Sequence, residues 1–252
     1  MGHVFDVASS LMATFAQQGR GVQVRGRNTQ PAELLELYDM EGCPFCRLVR
    51  EALTELDLDA IIYPCPKNGL RYRPLVERLG GKQQFPFLMD PNTDAAMYES
   101  ADIIAYLYRT YGEGRAPSSR LKQLIRTTSS ASVSVWRYQR GLHAYHNVPP
   151  KKPLELYSFE TSPFSRLVRE RLTELEIPYI LRQCGRTQLQ DWLLPVMRNA
   201  LTPDYQPDQR NRKTLLARTG RVAVPYLVDP NTKTELFESE HIINYLDEAY
   251  GA

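Results

Sequence analysis

Two segments of this chain are near-duplicates, and they differ at the atoms able to do chemistry. Leu37-Tyr38 is followed by Cys43-Pro44-Phe45-Cys46-Arg47-Leu48-Val49-Arg50-Glu51, and Leu156-Tyr157 by Ser162-Pro163-Phe164-Ser165-Arg166-Leu167-Val168-Arg169-Glu170. Such a repeat obliges the chain to build one supersecondary unit twice. At 252 residues the length suits two domains of ordinary size, which we place at 1–115 and 116–252. Both cysteines of a C-x-x-C become serines in the second copy while the helix around them is kept. One copy is built as a thiol site; the other is the same scaffold without the sulfur.

The match extends along both copies. Ser9-Ser10 and Arg20-Gly21 correspond to Ser129-Ser130 and Arg140-Gly141, predicting a leading helix in each copy that ends at a left-handed glycine. A strand follows at Leu34 to Tyr38 and at Leu154 to Tyr157. Next comes the helix of the motif. Phe45, Leu48, Val49, Ala52, Leu53 and Leu56 have the spacing of a single buried stripe, repeated by Phe164, Leu167, Val168, Leu172 and Leu175. Pro44 and Pro163 fit the first turn, whose amides lack helical partners. Second strands at Ala60 to Tyr63 and Tyr179 to Leu181 lead to the aligned Cys65 and Cys184.

The copies then diverge: Cys65 to Pro86 is 21 positions and Cys184 to Pro225 is 41, so the second copy carries 20 extra residues, placed within roughly Leu189 to Lys213. They rejoin at Phe85-Pro86-Phe87 and Val224-Pro225-Tyr226, and strands running into Asp-Pro-Asn-Thr predict hairpins. Glu99-Ser100 and Glu238-Ser239 then precede amphipathic helices, with the serines suited to the N-cap. Each copy reads as β-α-β, a variable segment, then β-β-α, an α/β unit.

A net charge of +2 gives no footprint for nucleic acid or a membrane surface, and no apolar run is long enough to span a bilayer. Four cysteines without a dense, even spacing, and no visible signal segment, place the expectation in a reducing, cytoplasmic compartment. His3, His143, His146 and His241 form no ligand constellation, so no metal site is expected.

Cys43 stands at a helix start, where unpaired amides and the macrodipole favour a thiolate. Arg47, four positions on, is placed to assist. Cys46, one turn inside, is either the partner in a disulfide or a small buried side chain. Cys65 and Cys184 lack a helix-start context and read as packing residues.

This order of elements, with C-P-F-C at the first strand-to-helix junction, a proline before a strand and E-S before the last helix, resembles the thioredoxin-like fold. It is similar to glutaredoxins and to the N-terminal domains of glutathione transferases, and the tandem arrangement looks like proteins built from two such domains. The resemblance implies Cys43 as the nucleophile and Cys46 as the resolving cysteine. It implies a cis-proline at Pro86, a cysteinyl grip on glutathione by the Phe85 backbone, and Glu99 and Ser100 as receivers of the γ-glutamyl end. Ser162, Val224, Pro225, Glu238 and Ser239 are the matching positions of the second copy. Transferases of this type continue into an all-helical domain, whereas here the first copy runs into the second.

The resulting expectation is a glutathione-dependent thiol-disulfide oxidoreductase, with glutathione as cosubstrate and a disulfide-bearing protein or small molecule as substrate. The two copies would form an intramolecular pseudo-dimer, or the chain a homodimer. A glutathione-using transferase or isomerase and a non-catalytic scaffold binding glutathione or protein are the alternatives.

Overall fold

The computed structural model describes residues 21–25, 30–115, 140–193, 195–202 and 204–251. The expected leading helices lie outside the described residues. The glycines at which they were to end, Gly21 and Gly141, do have left-handed φ angles of 62° and 68°.

The first half runs β1 (Leu35–Asp39), α1 (Pro44–Glu55), β2 (Ala60–Pro64), α2 (Arg73–Gly80), β3 (Phe87–Asp90), β4 (Ala95–Tyr98) and α3 (Ser100–Tyr111). The second runs β5 (Leu154–Ser158), α4 (Pro163–Glu174), β6 (Tyr179–Gln183), a 3-10 turn (Leu189–Trp192), α5 (Pro195–Leu201), α6 (Arg210–Thr219), β7 (Tyr226–Asp229), β8 (Thr234–Phe237) and α7 (Ser239–Tyr250).

All eight strands form one sheet in the order β4-β3-β1-β2-β6-β5-β7-β8. Each half contributes a parallel pair flanked by an antiparallel hairpin, the thioredoxin-like order. The halves join where β2 and β6 pair antiparallel, with Ala60 opposite Leu181 and Ile62 opposite Tyr179. Edge strands that would otherwise be open templates for other chains are thereby paired with each other.

Strand alternation divides the core between the two faces of the sheet. Leu35, Leu37, Ala60 and Ile62 face α1 and α3, and their counterparts join them in one buried cluster that runs through both halves. Tyr38, Cys65, Val76 and Phe87 pack on the opposite face, under α2. The Asp-Pro-Asn-Thr turns are fastened by their own side chains. Asp90 Oδ2 accepts from Tyr106 Oη at 2.6 Å, and Asn92 Nδ2 donates to the Glu33 carbonyl at 2.9 Å. Asp229 and Asn231 repeat the arrangement with Tyr245 and Lys152.

Three expectations change. Phe45 and Phe164 are not part of the buried stripe, being 49% and 40% exposed in the first turn of their helices. The segment between Cys65 and Pro86 contains α2, which α6 repeats, both ending at a left-handed glycine, Gly81 or Gly220. Arg210, Arg212 and Lys213 therefore belong to a shared helix, and the insertion itself builds the 3-10 turn and α5. Glu99 and Glu238, not the serines, occupy the N-cap positions, and neither makes a side-chain cap.

The halves exchange backbone at their leading segments. Val24 and Arg186 bond through Val24 N to Arg186 O at 3.0 Å and Arg186 N to Val22 O at 2.7 Å. In mirror fashion, Ala144 N donates to Lys67 O at 2.9 Å and Gly42 N to Gly141 O at 3.2 Å. Each leading segment thus lies along the other half, as in an isologous dimer made within one chain.

Candidate active site

Three structural junctions meet at one end of the first half's sheet. Tyr38 pairs with Phe87, and Phe87 with Tyr98. Cys43 follows β1, Phe85-Pro86 precedes β3, and Glu99-Ser100 follows β4, so the register brings all three to the same sheet edge. The second half repeats this, with Tyr157, Tyr226 and Phe237 in the corresponding pairs.

Cys43 is the N-cap of α1, with extended backbone at φ −79° and ψ 124°. Its Sγ accepts from the Cys46 amide at 3.5 Å. The Cys46 thiol and the amides of Cys46 and Phe45 stabilise negative charge there. They outweigh burial and bring the Cys43 thiol from 9.0 down to about 7. Cys46 is fully buried, and that burial, with the neighbouring Cys43 charge, drives its own thiol well above the ordinary range. One thiol is poised to ionise and the other to keep its proton. All four cysteines are free.

The Phe85-Pro86 and Val224-Pro225 bonds are both cis. Glu99 and Glu238 have φ of 65° and 66°. Left-handed backbone at a non-glycine residue costs on the order of 1–3 kcal/mol and concentrates at ligand-holding sites. Gln84 Nε2 donates to the Glu99 carboxylate, tying the cis-proline loop to the start of α3. Ser100 and Ser239 are the first residues of α3 and α7 and are buried, at 8% and 3% exposure. The free amides of such a helix start suit a carboxylate.

A thiol at a helix start, a cis-proline loop, a carboxylate at Glu99 and the amides of the α3 start are the kinds of group that would meet a thiol, a backbone amide, an ammonium group and a carboxylate of a peptide such as glutathione.

In the second half Ser162 caps α4 by accepting from the Ser165 amide at 3.3 Å, and the Ser165 hydroxyl donates to Ser162 Oγ at 2.8 Å. Backbone geometry is retained without a group able to exchange disulfides. Cys65 and Cys184 are fully buried and their thiols are raised by that burial, in keeping with packing roles.

Arg47 does not assist the thiolate as its position in sequence suggested. Its side chain is 2% exposed and turns to Glu160 of the other half at 3.5 Å. It belongs to a buried charge network beneath the site that sequence reading missed. Arg50 reaches Asp39, Glu41 at 2.9 Å and Glu160 at 2.9 Å, while Arg169 reaches Glu41 at 3.0 Å and Glu160 at 3.3 Å. Glu41 and Glu160 are repeat-equivalent, as are Arg50 and Arg169, so the signal lay in charges duplicated in each motif helix and in the turn before it. Burial raises Asp39 to about 6 against the pull of Arg50. The charges of Arg169 and Arg50 overcome burial at Glu41 and hold it at about 2.

The sequence pattern of the glutathione S-transferase N-terminal domain matches residues 37–115 and again 156–252, more than half of the chain. The chain belongs to the glutathione S-transferase N-terminal domain family. Its two matched segments coincide with the two thioredoxin-like units of the fold, in tandem. No curated protein matches the chain. Among solved structures, a Bombyx mori glutathione transferase is similar at 24% identity over 33% of this chain, with a TM-score of 0.29. The chain spans 38% of that enzyme's length. A trimeric glutathione transferase of Leishmania is similar at 13% identity over 86% of this chain and 67% of its own, with a TM-score of 0.30. The family assignment rests on the domain pattern alone.

Among the described residues, no helix is long and apolar enough to cross a membrane, and no group of three or more His, Cys, Asp or Glu is arranged to hold a metal.

Proposed function

We propose that the first half, residues 1–115, is a glutathione-dependent thiol-disulfide oxidoreductase and that the second, residues 116–252, is its non-catalytic partner. The observation that carries this reading is the split between Cys43, lowered to about 7 at a helix start, and Cys46, held protonated one turn below.

The Cys43 thiolate attacks the glutathione sulfur of a mixed disulfide between glutathione and a substrate thiol. A new S–S bond forms to Cys43, the old one breaks, and the departing thiolate takes a proton from water. A second glutathione, as thiolate, then attacks the sulfur bonded to Cys43. Glutathione disulfide leaves and the Cys43 thiolate is restored, so each turn consumes one glutathione thiol, frees one substrate thiol and releases one glutathione disulfide. With a dithiol route, Cys46 loses its proton and attacks Cys43, and the Cys43–glutathione bond breaks with release of glutathione. The Cys43–Cys46 disulfide is then reduced by two glutathione thiols, which leave as glutathione disulfide. Phe85 would hold the cysteinyl backbone of glutathione, Glu99 its ammonium group, and Ser100 with the α3 amides its γ-glutamyl carboxylate. The substrate is a disulfide-bearing protein or small molecule, and the compartment a reducing, cytoplasmic one.

Incubation of Cys46→Ser protein with glutathione disulfide tests the reading. The expected result is a glutathione adduct on Cys43 and on no other cysteine, located by peptide mass spectrometry. Absence of the adduct in folded protein overturns it. The family's transferase name supports a second reading, in which the same thiolate site serves conjugation of glutathione to an electrophile. Conjugation that persists in Cys46→Ser protein and is lost in Ser100→Ala would favour that reading.

A further inference from the structure

The repeat makes each half a control for the other. Arg73 and Arg212 each stand eight residues before the glycine, Gly81 or Gly220, that ends α2 or α6. Both reach the carbonyl of the aligned cysteine: Arg73 Nη1 donates to Cys65 O at 3.1 Å, and Arg212 Nε to Cys184 O at 3.0 Å. In the first half this guanidinium stacks over the ring of Phe85, 4.7 Å from its centroid, at the cis-proline loop.

What faces the two arginines differs. Arg73 is half-buried and has no carboxylate within ion-pair distance among the described residues. Arg212 is 5% exposed and pairs at 3.4 Å with Asp191, whose side chain is 0% exposed. Asp191 comes from the insertion, which the first half lacks. The amides of Thr187 at 2.9 Å and Gln188 at 3.3 Å, and the Tyr205 hydroxyl, hold the carboxylate in place. The insertion also seats Arg198 on the carbonyl of Val222, in the loop that leads to cis-Pro225, and stacks it over Tyr205 at 4.3 Å. A carboxylate of the chain itself therefore pairs with Arg212. Its repeat equivalent Arg73, at the first half's cis-proline loop, bonds only neutral acceptors among the described residues, the Cys65 carbonyl and Gln83 Oε1 at 3.3 Å.

We infer that the insertion closes the second half's ligand site, with Asp191 as a built-in counter-ion, so that each chain binds one glutathione, in the first half, with Arg73 receiving a carboxylate of the tripeptide. This rests on the glutathione reading above. A ligand entering the second half would have to displace a buried carboxylate held by four donors besides Arg212, the amide and hydroxyl of Thr187, the Gln188 amide and the Tyr205 hydroxyl, a loss no single new carboxylate contact restores. Retention of Pro225, Glu238 and Ser239 then reflects their part in building the hairpin and α7.

Calorimetric titration of the full chain with reduced glutathione tests this, alongside protection of Cys43 from alkylation. The unaltered chain should bind one equivalent and show Cys43 protected. Arg73→Gln should weaken binding by at least about tenfold, the order expected for a lost charge-assisted contact. Arg212→Gln should leave affinity within about twofold. Two equivalents bound by the unaltered chain, or one that leaves Cys43 unprotected, overturns the closure, and neither result requires a variant to fold. Unchanged affinity in folded Arg73→Gln overturns the role of that arginine. No binding at all by the unaltered chain overturns the glutathione reading itself, and this inference with it.

Discussion

The proposed reactivity rests on one sulfur atom, that of Cys43, which the Cys46 thiol and the amides of Cys46 and Phe45 surround. At pH 7 a thiol titrating at about 7 is half ionised, whereas one left at 9.0 would be only about 1% thiolate. Because the thiolate is the reacting form, alkylation of Cys43 should accelerate as pH rises and level off above a midpoint near 7. Peptide mass spectrometry after limited iodoacetamide treatment at several pH values should find Cys46, Cys65 and Cys184 almost unmodified in the native state. A midpoint near 9, or labelling spread evenly over the cysteines, would show that the helix start does not tune Cys43. That cysteine's place was legible from proline in the first turn. The fate of Arg47 was not, because helical spacing gives the face on which a side chain lies but not the partner that a second domain brings to it.

Helices α1 and α4 owe their unusual arginines to the carboxylates of the turns that precede them, Glu41 and Glu160. Arg50 and Arg169 are both fully buried, and each is bonded to Glu41 and to Glu160, one carboxylate from each half. A buried charge deprived of its partner costs far more than a surface pair, typically about 3–5 kcal/mol. Glu160→Ala should therefore destabilise the chain by about that amount, read as a lower urea midpoint, although Glu160 belongs to the half without thiols. The excess positive charge is already felt: burial first, and the charge of Arg47 second, bring Arg166 down to about 9. A loss below about 1 kcal/mol would mean that water reaches this network and screens it. The strands, the motif helices and the Asp-Pro-Asn-Thr hairpins were all readable from periodicity and turn chemistry. Helix α2 was not, because it is only eight residues long and buries little, Val76 being its only fully buried residue.

At the scale of the whole molecule, the two halves are less separable than a tandem repeat suggests. They share one sheet through β2 and β6, one continuous apolar core, the arginine network and the reciprocal backbone pairing of Val22–Val24 and Leu142–Ala144. A fragment of residues 1–115 would expose the β2 edge and bury Arg50 without Glu160. Expressed alone, it should be unfolded or self-associated at micromolar concentration, as size-exclusion chromatography with light scattering and circular dichroism would show. A folded, monomeric fragment would contradict the shared core. The duplication announced two domains of one kind. Their joining could not be read from it, since repeated sequences fix each unit's own pattern and leave open which edges meet. The measurement that bears most directly on the central claim is glutathione-coupled reduction of a small mixed disulfide by the full chain and its Cys43→Ser and Cys46→Ser variants. The account predicts turnover in the unaltered chain, its retention in Cys46→Ser and its loss in Cys43→Ser; turnover that survives Cys43→Ser, or none in the folded unaltered chain, would contradict it.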